Sequence, residues 1–414
     1  MEYLRSLIKV NAMKFNPAQA IQNLQYFGEF GGVNPSIEDS STYTFLRADR
    51  MEEVFEKEIE GCYLYSRHWN PTNRYLSQAL AQMENTEAAI VTASGMAAIT
   101  CTLLQLCKQG DEIICSRMVY GGTYAFLKNV APGFGITTRF VDITSISEIE
   151  KSITPKTKIV YCETMSNPML EIADIPAISN LCKKSNVSLV VDNTFTPMIL
   201  SPANLGADVV IHSLTKFING TSDTVAGVIC GSHAFIQELS DVNKGMVMLL
   251  GPVMDSLRSA SVLKNLHSLH LRMNQHSKNA YYLATQIATL GINIQYPGLE
   301  QHAQYALFQK LKNEKMGSGG MMVLNMGSKE KAYQLMEKMQ KANIGYLAVS
   351  LGYYKTLFSS PGSSTSSEIP EEDRLRMGLS DGLVRISIGL DASIEDTYVK
   401  MKACLMEVLE PVPA

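Results

Sequence analysis

The sequence predicts an α/β protein: a mostly parallel seven-stranded sheet covered by helices, followed by a smaller C-terminal α/β domain. Three observations predict it. From about residue 86 to 231, short β-branched runs alternate with amphipathic stretches, as strands joined by crossover helices do. Several runs, such as Leu189-Val190-Val191, are apolar without alternation, which fits strands buried on both faces. The 414-residue chain is 46% apolar, enough to fill a large core.

In chain order, residues 1–60 show weak periodicity and read as an N-terminal arm. Residues 61–255 form the predicted large domain. Its strands are expected at Ala88–Ala93, Asp111–Ser116, Ile136–Asp142, Thr157–Glu163, Ser188–Asp192, Asp208–His212 and Val225–Cys230. Helices such as Met96–Cys107 and Ile175–Lys184 separate several of them. Residues 256–414 are expected to hold a connecting helix and the C-terminal domain. One long helical stretch is predicted over Asp255–Leu290. Strands at Met321–Asn325, Tyr346–Ser350 and Leu383–Ile388 and helices at Lys329–Lys341 and Ile394–Leu409 follow. The serine-rich segment Ser359–Ser367, with Pro361 and Gly362, reads as a loop. Gly317-Ser318-Gly319-Gly320 precedes a strand rather than joining a strand to a helix, so it is a turn and not a dinucleotide fingerprint.

Charge and cysteine usage narrow the function classes. A formal charge of −4 gives no electrostatic reason for nucleic-acid or anionic-membrane partners. No apolar run reaches the ~18 residues of a membrane span, and Met1–Phe15 lacks a signal-peptide core. Eight cysteines without a C-x-x-C pair read as buried, reduced thiols of a cytoplasmic protein. His267, His270 and His276 share a helical segment without a metal-binding pattern, so no metal site is expected.

Three segments carry chemistry. Asp192 ends a predicted buried strand, where an unpaired charge is costly and where ligands of open α/β sheets bind. Lys216 follows another strand end 24 residues later, in His212-Ser213-Leu214-Thr215-Lys216-Phe217. A lysine in a desolvated pocket can be neutral and nucleophilic, and the flanking hydroxyls can bind phosphate. Paired with a carboxylate that can meet a protonated ring nitrogen, it points to covalently attached pyridoxal 5'-phosphate. Ala93-Ser94-Gly95-Met96 then supplies a helix start whose amides can approach the phosphate. Tyr65 and Arg67 could complete that site.

These segments, in order, resemble the Cys/Met-metabolism family of pyridoxal-phosphate enzymes over roughly residues 36–410. The resemblance rests on Tyr65-Ser66-Arg67-x-x-Asn70-Pro71-Thr72, Ser94-Gly95-Met96, Tyr120-Gly121-Gly122-Thr123 and Ser166-Asn167-Pro168. Asp192-Asn193-Thr194, Ser213-x-Thr215-Lys216, Ser350-Leu351-Gly352 and Ser380-Asp381-Gly382-Leu383-Val384-Arg385-Ile386-Ser387 complete it. It implies an aminotransferase-like (fold type I) large domain. It also implies roles: Lys216 holds the cofactor and shuttles protons, Asp192 faces the ring nitrogen, and Tyr120 stacks on the ring and serves as acid or base. Asn167 bonds the ring oxygen, while Gly95, Met96, Ser213 and Thr215 hold the phosphate. Arg385 with Ser350 takes the substrate carboxylate. Tyr65 and Arg67 reach the phosphate of a neighbouring subunit, so a homo-oligomer, as a dimer of dimers, is implied.

The same resemblance frames the reaction. Leu347-Ala348-Val349-Ser350-Leu351-Gly352 is similar to methionine γ-lyases, whereas cystathionine γ-lyases and γ-synthases commonly place a glutamate at the position of Val349. An apolar residue suits a thioether. The expected activity is therefore carbon–sulfur γ-elimination of methionine or a related sulfur amino acid, giving a thiol, ammonia and 2-oxobutanoate. Gly122 points elsewhere, because methionine γ-lyases typically carry cysteine there. The alternatives are γ-replacement on O-acetylhomoserine, cystathionine γ-lyase or γ-synthase chemistry, and, in another class, a cofactor-binding protein with little turnover. Trp69, the chain's single tryptophan, is expected either to pack at an interface or to narrow the active-site mouth.

Overall fold

The computed structural model describes residues 15–26, 28–56, 59, 61–362 and 378–409. Seven strands build the large sheet: β1 (Ala88–Thr92), β2 (Glu112–Ser116), β3 (Thr137–Val141), β4 (Thr157–Glu163), β5 (Ser188–Asp192), β6 (Val209–Ser213) and β7 (Gly227–Gly231). Their order is β1-β7-β6-β5-β4-β2-β3. The β6-β5-β4-β2-β3 run is parallel, and β7 is antiparallel to both β1 and β6. Helices on both faces bury the central strands, which explains their unbroken apolar runs.

A second sheet holds β8 (Asn293–Gln295), β9 (Met321–Asn325), β10 (Gly345–Leu347), β11 (Thr356–Ser359) and β12 (Leu383–Ser387), in the order β10-β11-β12-β9-β8. The helices Lys329–Lys341 and Ile394–Leu409 pack together over one face of it. Three of its strands differ from expectation. β10 covers Gly345–Leu347 and stops short of the predicted Ser350, β8 is an unpredicted short strand, and β11, also unpredicted, runs into the serine-rich segment that reads as a loop. Ser359 and Ser360 are buried here, because the strand pairs with β12 and turns Ser359 toward Arg385. Residues 363–367 of that predicted loop lie outside the described residues.

The predicted single helix over Asp255–Leu290 is two helices, Ser256–Leu266 and Leu269–Ala288. Arg272 marks the break. Its guanidinium donates to the Asn265 carbonyl (2.9 Å), to Ile218 (2.7 Å) and to Phe217. One side chain thus satisfies the end of the first helix and pins the backbone beyond Lys216. Within residues 1–60, the described part holds short helices at Pro17–Gln22 and Ala48–Glu56. Seven cysteines are buried and Cys62 is exposed, all of them free. Among the described residues no helix is long and apolar enough to cross a membrane.

A polar cluster sits inside the large core. Glu84, which ends the helix Pro71–Glu84, accepts from His212 Nε2 (2.8 Å) and from the Asn193 amide (3.0 Å). Glu84 is 1% exposed and His212 is fully buried. The cluster ties that helix to the ends of β5 and β6, one residue beyond Asp192 and one before Ser213. Glu84→Ala leaves both donors without their shared acceptor. Its expected cost is about 3 kcal/mol or more of stability, read as a lower midpoint in chemical denaturation.

Candidate active site

The site follows from where the parallel strands end. β4, β5 and β6 terminate in Glu163, Asp192 and Ser213, and all three line one cavity of about 300 Å3. Its other walls include Gly95, Met96, Tyr120, Asn167, Thr194, Thr215, Lys216, Val349, Ser350 and Arg385. The sheet therefore gathers residues from the loops that follow β1, β2, β4, β5 and β6 at its carboxyl edge, and the second sheet closes the top.

Ser94 caps the helix Gly95–Leu106 by accepting from the Ala97 amide (3.0 Å). The amides of Gly95 and Met96 have no carbonyl one turn earlier to bond, so they remain donors at the positive end of the helix dipole. Gly95 is required for packing: a Cβ there would lie 2.8 Å from Cβ of Ser213. Ser213 is held from its own side, where its amide donates to Thr194 Oγ1 (2.8 Å). Thr215 Oγ1 exchanges hydrogen bonds with Ala226, donating to its carbonyl and accepting from its amide.

Asp192 is 7% exposed. Burial raises its carboxyl above the usual carboxylate range, while the Thr194 amide (2.9 Å) and the charge of His212 pull it back. Tyr161 adds a long contact at 3.5 Å. Lys216 donates to Ser350 Oγ (3.2 Å). Burial, helped by the charge of Arg385, pushes its ammonium down to about 8. Arg385 comes from β12 and is 3% exposed. It donates to Asn167 Oδ1 (2.9 Å), Ser359 Oγ (3.3 Å) and, more weakly, the Ser350 carbonyl (3.5 Å).

Ten of the twelve residues singled out in the sequence converge on this cavity. Tyr65 and Arg67 do not line it. The Arg67 guanidinium lies 5.7 Å from the centroid of the Tyr65 ring, and Tyr65 is 47% exposed. Trp69 does not line it either. Arg74 stacks on the indole at 5.1 Å, and the ring lines a separate cavity with Ser77, Ala89 and Ile236. His276 is buried edge-on to Phe217, with Nδ1 bonded to the Ile388 carbonyl. Glu163 and Ser359 were missed. The signal for Glu163 is the one that exposes Asp192, a carboxylate at the end of an apolar strand. Ser359 carries no such signal.

The donor set fits pyridoxal phosphate. A buried carboxylate at the closed end suits a ring cation, a lysine of lowered basicity suits a carbonyl, and a helix start beside two hydroxyls suits a phosphate. A buried guanidinium across the cavity is left for a carboxylate.

Comparison with known proteins agrees with this geometry. The family model described as Cys/Met metabolism PLP-dependent enzyme matches residues 18–405. A methionine γ-lyase of Arabidopsis thaliana is 43% identical over 95% of this chain and 91% of its own length. A cystathionine γ-lyase of Bacillus subtilis is 38% identical over 87% of this chain and 91% of its own. Among solved structures, one from Campylobacter jejuni carries N'-pyridoxyl-lysine-5'-monophosphate. It superposes with a TM-score of 0.87 at 28% identity, covering 94% of this chain and all of that one. With fold, cavity and sequence in agreement, the chain belongs to the Cys/Met-metabolism family of pyridoxal-phosphate-dependent enzymes.

Proposed function

We propose that this enzyme is a carbon–sulfur γ-lyase that converts L-methionine, or a related small sulfur amino acid, and water to a thiol, ammonia and 2-oxobutanoate. The observation that carries the reading is Val349. It is 61% exposed and lines the cavity beside Ser350, so the end of the site that meets the substrate side chain is apolar. The Arabidopsis relative, named a methionine γ-lyase, supports the same choice.

In this reading Lys216 carries the cofactor, Asp192 faces its ring nitrogen and Asn167 its ring oxygen. The Gly95 and Met96 amides, with Ser213 and Thr215, hold the phosphate. Bound there, pyridoxal phosphate supplies an electrophilic carbonyl and an electron-withdrawing ring. Arg385 and Ser350 fix the substrate carboxylate, which sets the orientation of Cα and Cβ. Lys216, neutral once relieved of attachment, moves protons at those carbons. The Tyr120 hydroxyl protonates the departing sulfur. Tyr65 and Arg67, outside the cavity of their own chain, serve the phosphate of a neighbouring subunit, so a dimer is the smallest active unit and a dimer of dimers the assembly. The enzyme acts in the cytoplasm.

One observation favours γ-replacement on O-acetylhomoserine as a second reading. A Cβ at Gly122 would lie 2.6 Å from Cε1 of Tyr120 and 3.1 Å from Sδ of Met96. The bare glycine therefore lets the tyrosine ring lie back and leaves room for an incoming thiol. The retention of Lys216, Asp192, Tyr120 and Arg385 together disfavours a binding protein with little turnover.

Three outcomes are expected. Purified protein supplied with pyridoxal phosphate gains a visible absorption band, and borohydride then fixes the cofactor covalently. Lys216→Ala loses both. The rate of cofactor attachment to the cofactor-free protein rises as pH passes about 8, where Lys216 loses its proton, and then levels off. Stopped-flow absorbance across pH 6.5–10, a range set by the ordinary lysine value of ~10.4, separates this from an unperturbed lysine, whose rate would still be climbing. Product analysis finds methanethiol and 2-oxobutanoate from methionine alone. Preferential homocysteine formation from O-acetylhomoserine and sulfide would select the second reading.

A further inference from the structure

Glu163 is the pocket's second buried carboxylate and has no role in the account above. It ends β4, directly in register with Asp192 at the end of β5. It is 8% exposed and lines the cavity. Burial and the neighbouring charge of Asp192 push its carboxyl upward, whereas the Tyr120 and Asn167 amides and the charge of Arg385 favour its charged form. A carboxylate is costly to bury without partners.

Its two oxygens do separate work. Oε1 accepts from the Tyr120 amide at 2.7 Å, and Oε2 accepts from the Asn167 amide at 3.0 Å. Tyr120 is the residue before the short helix Gly121–Ala125, and no side chain caps that helix start. Asn167 in turn accepts from Arg385 at 2.9 Å. One carboxylate thus spans the cavity floor between the backbone that carries the Tyr120 phenol and the backbone that seats the guanidinium. Two N–H donors converging on one side chain need two acceptor atoms. A glutamine offers one, and its NH2 would face an N–H.

We propose that Glu163 is a positioning residue whose carboxylate clamps the Tyr120 and Asn167 backbones and thereby aims the Tyr120 hydroxyl at the departing group. The inference rests on the γ-lyase reading of Tyr120. It adds that the aim of Tyr120 is set from β4, through a backbone amide, rather than by contacts of its ring. The clamp matters most when the leaving group needs a proton. Methanethiolate is a poor leaving group and needs it, whereas acetate departs readily without one.

The test compares Glu163→Gln, Glu163→Asp and Tyr120→Phe holoenzymes on methionine and on O-acetylhomoserine. The aspartate keeps the charge but falls about 1.5 Å short of both amides. Both Glu163 variants are expected to lose about 10- to 100-fold in kcat on methionine and less than about threefold on O-acetylhomoserine, with each KM within about threefold. Tyr120→Phe is expected to show the same selectivity between leaving groups. An equal loss on both substrates, or kcat retained on both, while Tyr120→Phe still discriminates, overturns the role of Glu163. A Tyr120→Phe enzyme that does not discriminate overturns the γ-lyase reading of Tyr120, and this inference with it. Melting temperature and bound-cofactor content report folding, and failure of both Glu163 variants to fold makes the carboxylate structural and overturns the proposal.

Discussion

The site depends on the burial of opposite charges within one small volume. Glu163 and Asp192 sit on adjacent strand ends, with Lys216 beyond the next strand and Arg385 reaching in from β12 of the second sheet. None of the four is well solvated, and each is shifted toward neutrality by desolvation. Each also depends on the others: Arg385 steadies Glu163, Arg385 depresses Lys216, and His212 steadies Asp192. The parallel sheet makes this possible by delivering carboxylates side by side from rigid strands whose only freedom is at the tip.

The outer shell of the cavity follows the same logic. The Glu84–His212–Asn193 cluster reaches the site through the backbone, because His212 and Asn193 are direct chain neighbours of Ser213 and Asp192. Arg272 does similar work on the far side, by binding the carbonyls of Phe217 and Ile218. The lysine turn is thus pinned both ahead of and behind Lys216, and its chemistry is performed on an anchored backbone.

Much of this was legible in the sequence. Thr157–Glu163 and Ser188–Asp192 form strands with the predicted bounds, because continuous apolar runs buried on both faces leave little choice. The helices Lys329–Lys341 and Ile394–Leu409 are likewise found as predicted, since their apolar periodicity is clean. What was not legible depends on neighbours far away in the chain. β11 is a strand because β12 and β10 flank it, although its own sequence runs straight into Ser359-Ser360-Pro361. The break near His267 is set by Arg272 reaching the lysine turn, which no local propensity encodes. Glu163 obeys the rule that singles out Asp192, but its two amide partners come from loops 43 and 4 residues away. Only the folded register brings them to one carboxylate.

Gly352 joins the two sheets. It sits at φ +79°, and a Cβ there would lie 2.4 Å from the Phe217 amide nitrogen, so backbone meets backbone beside Lys216. Its own amide donates to Ser387 on β12. A few residues earlier, Leu347 and Val349 are 49% and 61% exposed. The segment is therefore welded at Gly352 and open to solvent at Leu347 and Val349. Val349 can change size and alter the apolar wall of the cavity while the turn that carries Lys216 stays in place, whereas any side chain at 352 would push the two sheets apart.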